Sequence, residues 1–165
     1  MVGPLIYLGA EPQFDPPTDI ILLNANFENE LELIGYRAAV LPQHTPGGDR
    51  AGPIIQLTFY WRVPHQVEGD YALSLRLLDP AGQEIHKQDA AHPVLSSYPT
   101  TLWTPGEVVG DFYELPFPPG TGPLTLHLLP YRTEGSGQWH NLTLMGTKPP
   151  QEGILLGPFV EKTYP

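Results

Sequence analysis

Residues 71–77 read Tyr-Ala-Leu-Ser-Leu-Arg-Leu, with a large apolar side chain at every second position and a small or polar one between. Successive side chains of a β-strand point to opposite faces of its sheet, so this stretch predicts a strand with one buried and one solvated face. Residues 55–63 and 124–128 repeat the alternation. A helix would instead place apolar residues three and four positions apart, so we expect antiparallel strands.

Turn signals separate these strands at short intervals, because 21 prolines and 17 glycines are spread over the 165 residues. Residues 79–82, Asp-Pro-Ala-Gly, have the type I turn signature and predict a hairpin between strands 71–78 and 83–88. Residues 134–137, Glu-Gly-Ser-Gly, predict another between strands 124–132 and 138–145. Shorter strands are predicted at 20–23, 31–40, 84–88, 108–115, 139–145 and 154–160.

This pattern predicts one all-β domain, a sandwich of two antiparallel sheets of immunoglobulin-like or jelly-roll-like type. A chain of 165 residues fits one domain. The proline-rich residues 1–23 are expected to form an extended N-terminal arm and first strand, and residues 24–165 the sandwich. Residues 42–53 are expected to form a mobile loop.

Composition excludes several classes of function. The net charge of −10 repels phosphate backbones and anionic membrane surfaces, so no nucleic-acid partner is expected. The chain has no cysteine, which excludes disulfides and thiolate chemistry. No stretch approaches the roughly 18 apolar residues of a membrane span, and no signal-peptide pattern is visible. We therefore expect any export signal or membrane anchor to lie in a longer parent chain.

Aromatic side chains are the first group of candidate binding residues. Flat rings exposed on a sheet or loop can stack on the apolar C–H faces of sugars. Tyr60 is out of phase with the core side of its strand, and Tyr36, Trp103 and Trp139 are further ligand-binding candidates. The alternative is that these rings fill the core or pack under loops, as large aromatics commonly do. For Trp103, between the prolines of residues 99–105, we expect the role of a loop anchor.

Glu28, Glu30 and Glu32 are the candidate metal ligands. They alternate in the sequence, so on one strand all three would share a face. No cofactor is expected from the sequence, and calcium, which carboxylate oxygens suit, is the one alternative considered. The alternative is a solvated edge whose charges discourage pairing with other strands.

Catalytic signatures are absent from the sequence, and no catalytic residue is predicted. There is no G-x-S-x-G elbow and no histidine pair at a metal-binding spacing. A glycan hydrolase needs two carboxyls across a cleft, for which Glu107, Asp111 and Glu114 are the best candidates. Asp111 and Glu114 fall on opposite faces of strand 108–115, and we expect Asp111 to bind backbone N–H groups of a neighbouring loop.

Several motifs between roughly residues 24 and 145 resemble a bacterial β-sandwich module. The most specific is Tyr-Pro-Thr-Thr-Leu-Trp-Thr-Pro-Gly-Glu-Val-Val at residues 98–109. The others lie at residues 26–36, 57–62 (Leu-Thr-Phe-Tyr-Trp-Arg), 70–71, 77–82, 88–89 and 111–116 (Asp-Phe-Tyr-Glu-Leu-Pro). Such modules form the C-terminal, extramembrane end of proteins that look like dolichyl-phosphate-mannose-type glycosyltransferases.

The resemblance implies a non-catalytic accessory domain in the periplasm or at the cell surface, contacting a glycan or the membrane part of its parent chain. One alternative is a protein–protein assembly domain that uses a sheet edge. Another is a glycan hydrolase acting through Glu107 or Glu114.

Overall fold

The computed structural model describes residues 11–42 and 52–161, and these form two antiparallel sheets that face each other across one core. The predicted all-β sandwich in a single domain is therefore confirmed. Residues 1–10 of the predicted arm, and residues 43–51 of the predicted mobile loop, lie outside the described part. The first strand, Ile21–Phe27, spans the boundary expected between residues 23 and 24.

Eleven strands occur in the described ranges, joined by short turns and one longer connection. They are β1 (Ile21–Phe27), β2 (Leu31–Leu41), β3 (Ile54–Arg62), β4 (Ala72–Leu78), β5 (Glu84–Ala90), β6 (Val109–Pro116), β7 (Leu124–Thr133), β8 (Trp139–Asn141), β9 (Thr143–Leu144), β10 (Gln151–Glu152) and β11 (Ile154–Phe159). One sheet has the order β10-β9-β1-β2-β3-β6 and the other β11-β7-β4-β5, with β8 also paired to β7.

The core is built from the alternating apolar positions, as the sequence predicted. The inward side chains of β3, β4 and β7 are almost fully buried: Ile55, Leu57, Phe59, Trp61, Leu73, Leu75, Leu77, Leu124, Leu126 and Leu128. Removing apolar surface from water, at about 25 cal/mol per Å², is the main force that holds the two sheets together.

Both predicted hairpin turns are confirmed. In the β4–β5 turn the Gly82 N–H donates to the Asp79 carbonyl at 2.9 Å, and Asp79 Oδ1 accepts the Ala81 and Gln83 N–H groups. In the β7–β8 turn the Gly137 N–H donates to the Glu134 carbonyl at 3.0 Å.

The strand predicted at residues 139–145 is split between the two sheets. β8 pairs with β7 of one sheet, and after Leu142 the chain enters β9 of the other. It returns at Gly153, whose N–H donates to the Leu142 carbonyl at 3.1 Å. A Cβ atom at Gly153 would lie 2.4 Å from the Leu128 carbonyl oxygen, and its φ is +67°, so glycine is required there.

The longer connection, residues 91–108, crosses from β5 in one sheet to β6 in the other, and we call it the crossover segment. It contains one helical turn, α1 (Pro93–Ser96), and a 3₁₀ turn at Thr100–Leu102. No helix in the described ranges is long and apolar enough to cross a bilayer. The predicted anchoring role of Asp111 is confirmed, since its carboxylate accepts the Val94 N–H at 2.7 Å.

Candidate functional site

The outer face of the β11-β7-β4-β5 sheet, turned away from the core, carries a solvent-open groove. Side chains from four strands line it, and these strands belong to two hairpins, β4–β5 and β7–β8, that are far apart in the chain. We call it the groove, and its lining residues are Ser74 and Arg76 on β4, Lys87 and Asp89 on β5, Tyr131 on β7, and Trp139 and Asn141 on β8.

One half of the groove is polar and charged. The register places Ser74 opposite Asp89 and Arg76 opposite Lys87. These residues face outward because Leu73, Leu75 and Leu77 occupy the inward positions of β4. Lys87 Nζ lies 3.6 Å from Asp89 Oδ2, with both side chains about half exposed, so this ion pair contributes little to stability.

The other half of the groove is aromatic. Tyr131 lies opposite Asn141, and Trp139 lies opposite Thr133, at the end of the β7–β8 hairpin. Trp139 is 67% exposed, whereas Trp61 and Trp103 are 0% exposed. Burial, with a smaller contribution from the negative charge of Asp89, raises the pKa of Tyr131. The Tyr131 hydroxyl therefore keeps its proton at neutral pH and can donate a hydrogen bond.

β8 is held in place by polar contacts to the neighbouring sheet. The carboxylate of Glu28 accepts a hydrogen bond from His140 Nε2 at 2.9 Å and one from the Thr143 N–H at 2.7 Å. Asn141 Nδ2 donates to Glu152 Oε2 at 3.1 Å. These contacts fix the backbone of the strand that presents the exposed indole ring.

Of the four predicted aromatic candidates, Trp139 lies in the groove and the others do not. Trp103 is buried in the crossover segment as the anchor that the sequence favoured, and its Nε1–H donates to the Tyr98 carbonyl at 3.1 Å. Tyr60 lies on the other sheet, with the Arg37 guanidinium carbon 5.7 Å from its ring centroid. Trp103 is therefore not exposed to a ligand in this structure, while Tyr60 lies outside the groove and its ligand-binding role stays a prediction.

Tyr36 is also misplaced by the prediction, because it is 6% exposed and belongs to the core. The pairing of β2 with β3 shifts register between Leu33 and Gly35. Such a bulge inverts the phase of the strand, so positions after it face the opposite side. Strict alternation from Leu31 and Leu33 would place Tyr36 on the outer face.

The three candidate metal ligands do not share one strand face, so that expectation is wrong. Glu28 and Glu30 lie in the turn between β1 and β2, and Glu32 lies on β2. Each carboxylate faces a different partner: Glu28 bonds His140, Glu30 lies 3.6 Å from His65, and Glu32 pairs with Arg62 at 2.8 Å. Within residues 11–42 and 52–161, no three His, Asp or Glu side chains are grouped to hold a metal ion.

The carboxyls considered for hydrolysis are separated in the structure. Glu107 is buried in the crossover segment, where it accepts hydrogen bonds from the Tyr98 hydroxyl at 2.7 Å and the Thr104 N–H at 2.8 Å. Glu114 is exposed on β6 and accepts one from Gln56. Asp111, also on β6, is fully buried and faces inward, on the opposite side of the strand from Glu114.

Sequence reasoning missed six of the seven groove residues. The alternation did assign Ser74 and Arg76 to the outward face of their strand, but Ser74 is buried there, with 3% exposure, rather than solvated. It could not show that β4 pairs with β7, some fifty residues later, which brings Tyr131 to the same surface. The useful signal would have been the outward polar positions of β4 read together with those of β5, β7 and β8.

The fold resembles that of the C-terminal domain of Wzt. A crystal structure of that domain matches with a TM-score of 0.53 over 93% of this chain and 84% of that chain, at 12% sequence identity. At this identity the match concerns the fold alone. No protein-family model matches the chain, and no curated protein matches it either. The resemblance to glycosyltransferase-like modules stays a prediction.

Proposed function

We propose that this domain binds a saccharide without catalysing a reaction, and that the groove on the β11-β7-β4-β5 sheet is the binding site. The observation that carries the proposal is the indole ring of Trp139, which stands in solvent within a groove otherwise lined by polar side chains.

An exposed tryptophan at a fixed position calls for an explanation, because large rings are usually buried in the core. β8 is fixed by contacts of His140 and Asn141, so the ring is presented from an ordered strand. A flat apolar surface of this kind suits the C–H face of a pyranose ring.

The polar lining of the groove supplies the hydrogen bonds that sugar hydroxyls need. The Tyr131 hydroxyl donates and accepts, the Asn141 amide does both, and Asp89 accepts, whereas Ser74 is only 3% exposed and accepts the bond from Arg76. A sugar hydroxyl likewise donates and accepts. An apolar platform with a few convergent polar groups is the usual composition of a small-ligand site.

The make-up of the groove also supports a non-catalytic role. Asp89 is the one carboxylate among the lining residues, and Lys87 lies beside it. Glycoside hydrolysis commonly requires two carboxyls on opposite sides of the scissile bond. Glu107, the alternative acid, forms internal hydrogen bonds in the crossover segment.

The test is a glycan array followed by titration of the hits, monitored by tryptophan fluorescence. Because Trp61 and Trp103 are buried, a change in quenching by a soluble quencher reports mainly on Trp139. We expect binding that Trp139→Ala weakens about tenfold or more. Leu102→Ala, which removes an exposed apolar side chain from the crossover segment, is the matched control. Equal affinity of both variants and the wild type would refute the groove as the site.

We propose further, on the motif resemblance alone, that the domain works outside the cytoplasm as part of a longer membrane-associated chain. The measurement is protease accessibility of the full-length gene product in intact cells or spheroplasts. If the domain is protected from the protease until the inner membrane is broken, a location outside the cytoplasm is refuted.

Assembly through a sheet edge is the second candidate function. β6 is the outer strand of its sheet, and Phe112 on it is 43% exposed. An exposed apolar side chain on an edge strand favours strand addition by a partner. A Phe112→Lys variant that still captures the parent membrane segment as the wild type does would exclude this edge.

A further inference from the structure

The groove concentrates positive charge in an acidic protein. The chain has 18 acidic and 8 basic residues, yet the groove contains two cations, Arg76 and Lys87, and one carboxylate, Asp89. The two cations lie directly opposite each other on β4 and β5. Like charges facing each other across a strand pair destabilise a sheet, so an anion bound between them would stabilise this arrangement.

Asp89 compensates Lys87 but not Arg76. Lys87 Nζ lies 3.6 Å from Asp89 Oδ2. The other arginines in the described ranges each pair with a carboxylate: Arg37 with Asp19, Arg62 with Glu32 and Arg132 with Glu134. Among the residues described, Arg76 is the arginine without an ion pair, in a chain where carboxylates outnumber cations.

The side chain of Arg76 is oriented along the groove. Its Nε donates to Ser74 Oγ at 3.3 Å, two residues earlier on the same strand. Ser74 lies nearer than Arg76 to the aromatic end of the groove, because Ala72 pairs with Tyr131. A guanidinium has five N–H donors in a planar fork, so four remain beyond the bond to Ser74.

We propose that the saccharide bound in the groove carries an anionic group, a carboxylate or a phosphate, which pairs with the guanidinium of Arg76 while a sugar ring packs on Trp139. This inference rests on the proposed saccharide-binding function. The planar fork of arginine binds both anions in bidentate fashion, so geometry favours Arg76 over Lys87 as the main contact.

The experiment compares acidic and neutral probes by calorimetric titration of the whole chain. The probes are trigalacturonic acid against galactotriose, and mannose 6-phosphate against mannose, so that the carboxylate and phosphate sources are separated. The variants are Arg76→Gln and Trp139→Ala. Lys148→Gln is the control, since it makes the same change in net charge at an exposed position outside the groove.

We expect one acidic probe to bind at least tenfold more tightly than its neutral counterpart. Arg76→Gln should lower the ratio of acidic-probe to neutral-probe affinity by about 10- to 100-fold, while Lys148→Gln keeps the preference. Raising the ionic strength should weaken the binding of the acidic probe more than the binding of the neutral one.

Two different failures are distinguishable. If neutral and acidic probes bind equally well, or if the preference survives Arg76→Gln, the proposal of an anionic ligand is overturned. The proposal of saccharide binding is then unaffected. Absence of binding by all four probes, or binding that Trp139→Ala does not change, would overturn the proposed function itself and this inference with it.

Discussion

The crossover segment and the groove contain the same kinds of residue, yet they differ in where their polar atoms find partners. In the crossover segment, Trp103 is buried and its ring N–H donates to the Tyr98 carbonyl. In the groove, Trp139 stands in solvent. Both tryptophans lie close to turns in the sequence, so residue type alone did not distinguish a buried, loop-packing tryptophan from an exposed one that can stack on a ligand.

The polar side chains show the same contrast. Thr100 in the crossover segment donates to the Gly69 carbonyl at 2.8 Å and accepts the Tyr71 N–H at 3.0 Å, and Glu107 accepts two hydrogen bonds. Arg76 in the groove makes one long bond to Ser74. Polar side chains whose hydrogen bonds are all made within the protein therefore have a structural role. Polar side chains with free donors are available to a ligand.

The largest effect that this comparison predicts is the loss of stability in Trp103→Ala. Removing a fully buried indole leaves a cavity and should cost about 3–5 kcal/mol of unfolding free energy. Saccharide affinity per folded molecule should not change. Urea unfolding measures the cost, with the neighbouring Leu102→Ala, exposed in the wild type, as a control expected within about 0.5 kcal/mol. Equal costs for both variants would contradict an anchoring role.

The next effect is a pH dependence caused by Asp111, which accepts bonds from Val94 and from Trp61 Nε1. Burial raises the pKa of Asp111 from 3.8 to about 6, although both hydrogen bonds oppose the shift. Because the folded-state pKa is the higher one, its contribution to stability is greatest below about pH 4 and declines as the pH rises to about 6. The loss is on the order of 2–3 kcal/mol.

The measurement is urea unfolding of the wild type and of Asp111→Asn between pH 4 and pH 7. Subtracting the variant removes the titration of the other carboxyls. The stability of the wild type relative to the variant should fall across that interval. A difference that stays constant with pH would show that the carboxyl titrates alike in the folded and unfolded chains.

A smaller effect is expected for Thr100→Val. The substitution keeps the shape of the side chain but leaves the buried Tyr71 N–H without its acceptor, which should cost about 1–3 kcal/mol. Thr101→Val, at a partly exposed neighbouring position, is the matched control for hydroxyl loss. Similar thermal midpoints for the two variants would weaken the distinction between the crossover segment and the groove.

The smallest effect on stability is expected for Trp139→Ala, within about 0.5 kcal/mol, because its ring is mostly in water. The same substitution should weaken saccharide binding about tenfold or more. Chemical unfolding and ligand titration on one preparation compare the two quantities. A stability loss above about 2 kcal/mol would show that Trp139 packs as Trp103 does.

The sequence was informative wherever local chemistry decides the structure. Period two in residues 55–63, 71–77 and 124–128 predicts the buried positions because strand geometry alternates side chains strictly. The Asp79 turn is equally local, since one carboxylate caps its own loop. Tyr36 escaped the prediction because a bulge depends on the partner strand and leaves no fixed signature within β2.

The order of strands in space was decided by the tertiary structure alone. Arg76, Asp89, Tyr131 and Trp139 each lie on the outward face of their strand, which alternation can predict, but their meeting requires β4 to pair with β5 on one side and β7 on the other. Backbone hydrogen bonds between strands are the same for every sequence, so local pattern does not specify which strands become neighbours.

The sequence by itself therefore determined an acidic, cysteine-free sandwich and most of its core. The groove exists because β4 lies between β5 and β7 in the sheet, which brings the outward side chains of these strands and of β8 to one surface.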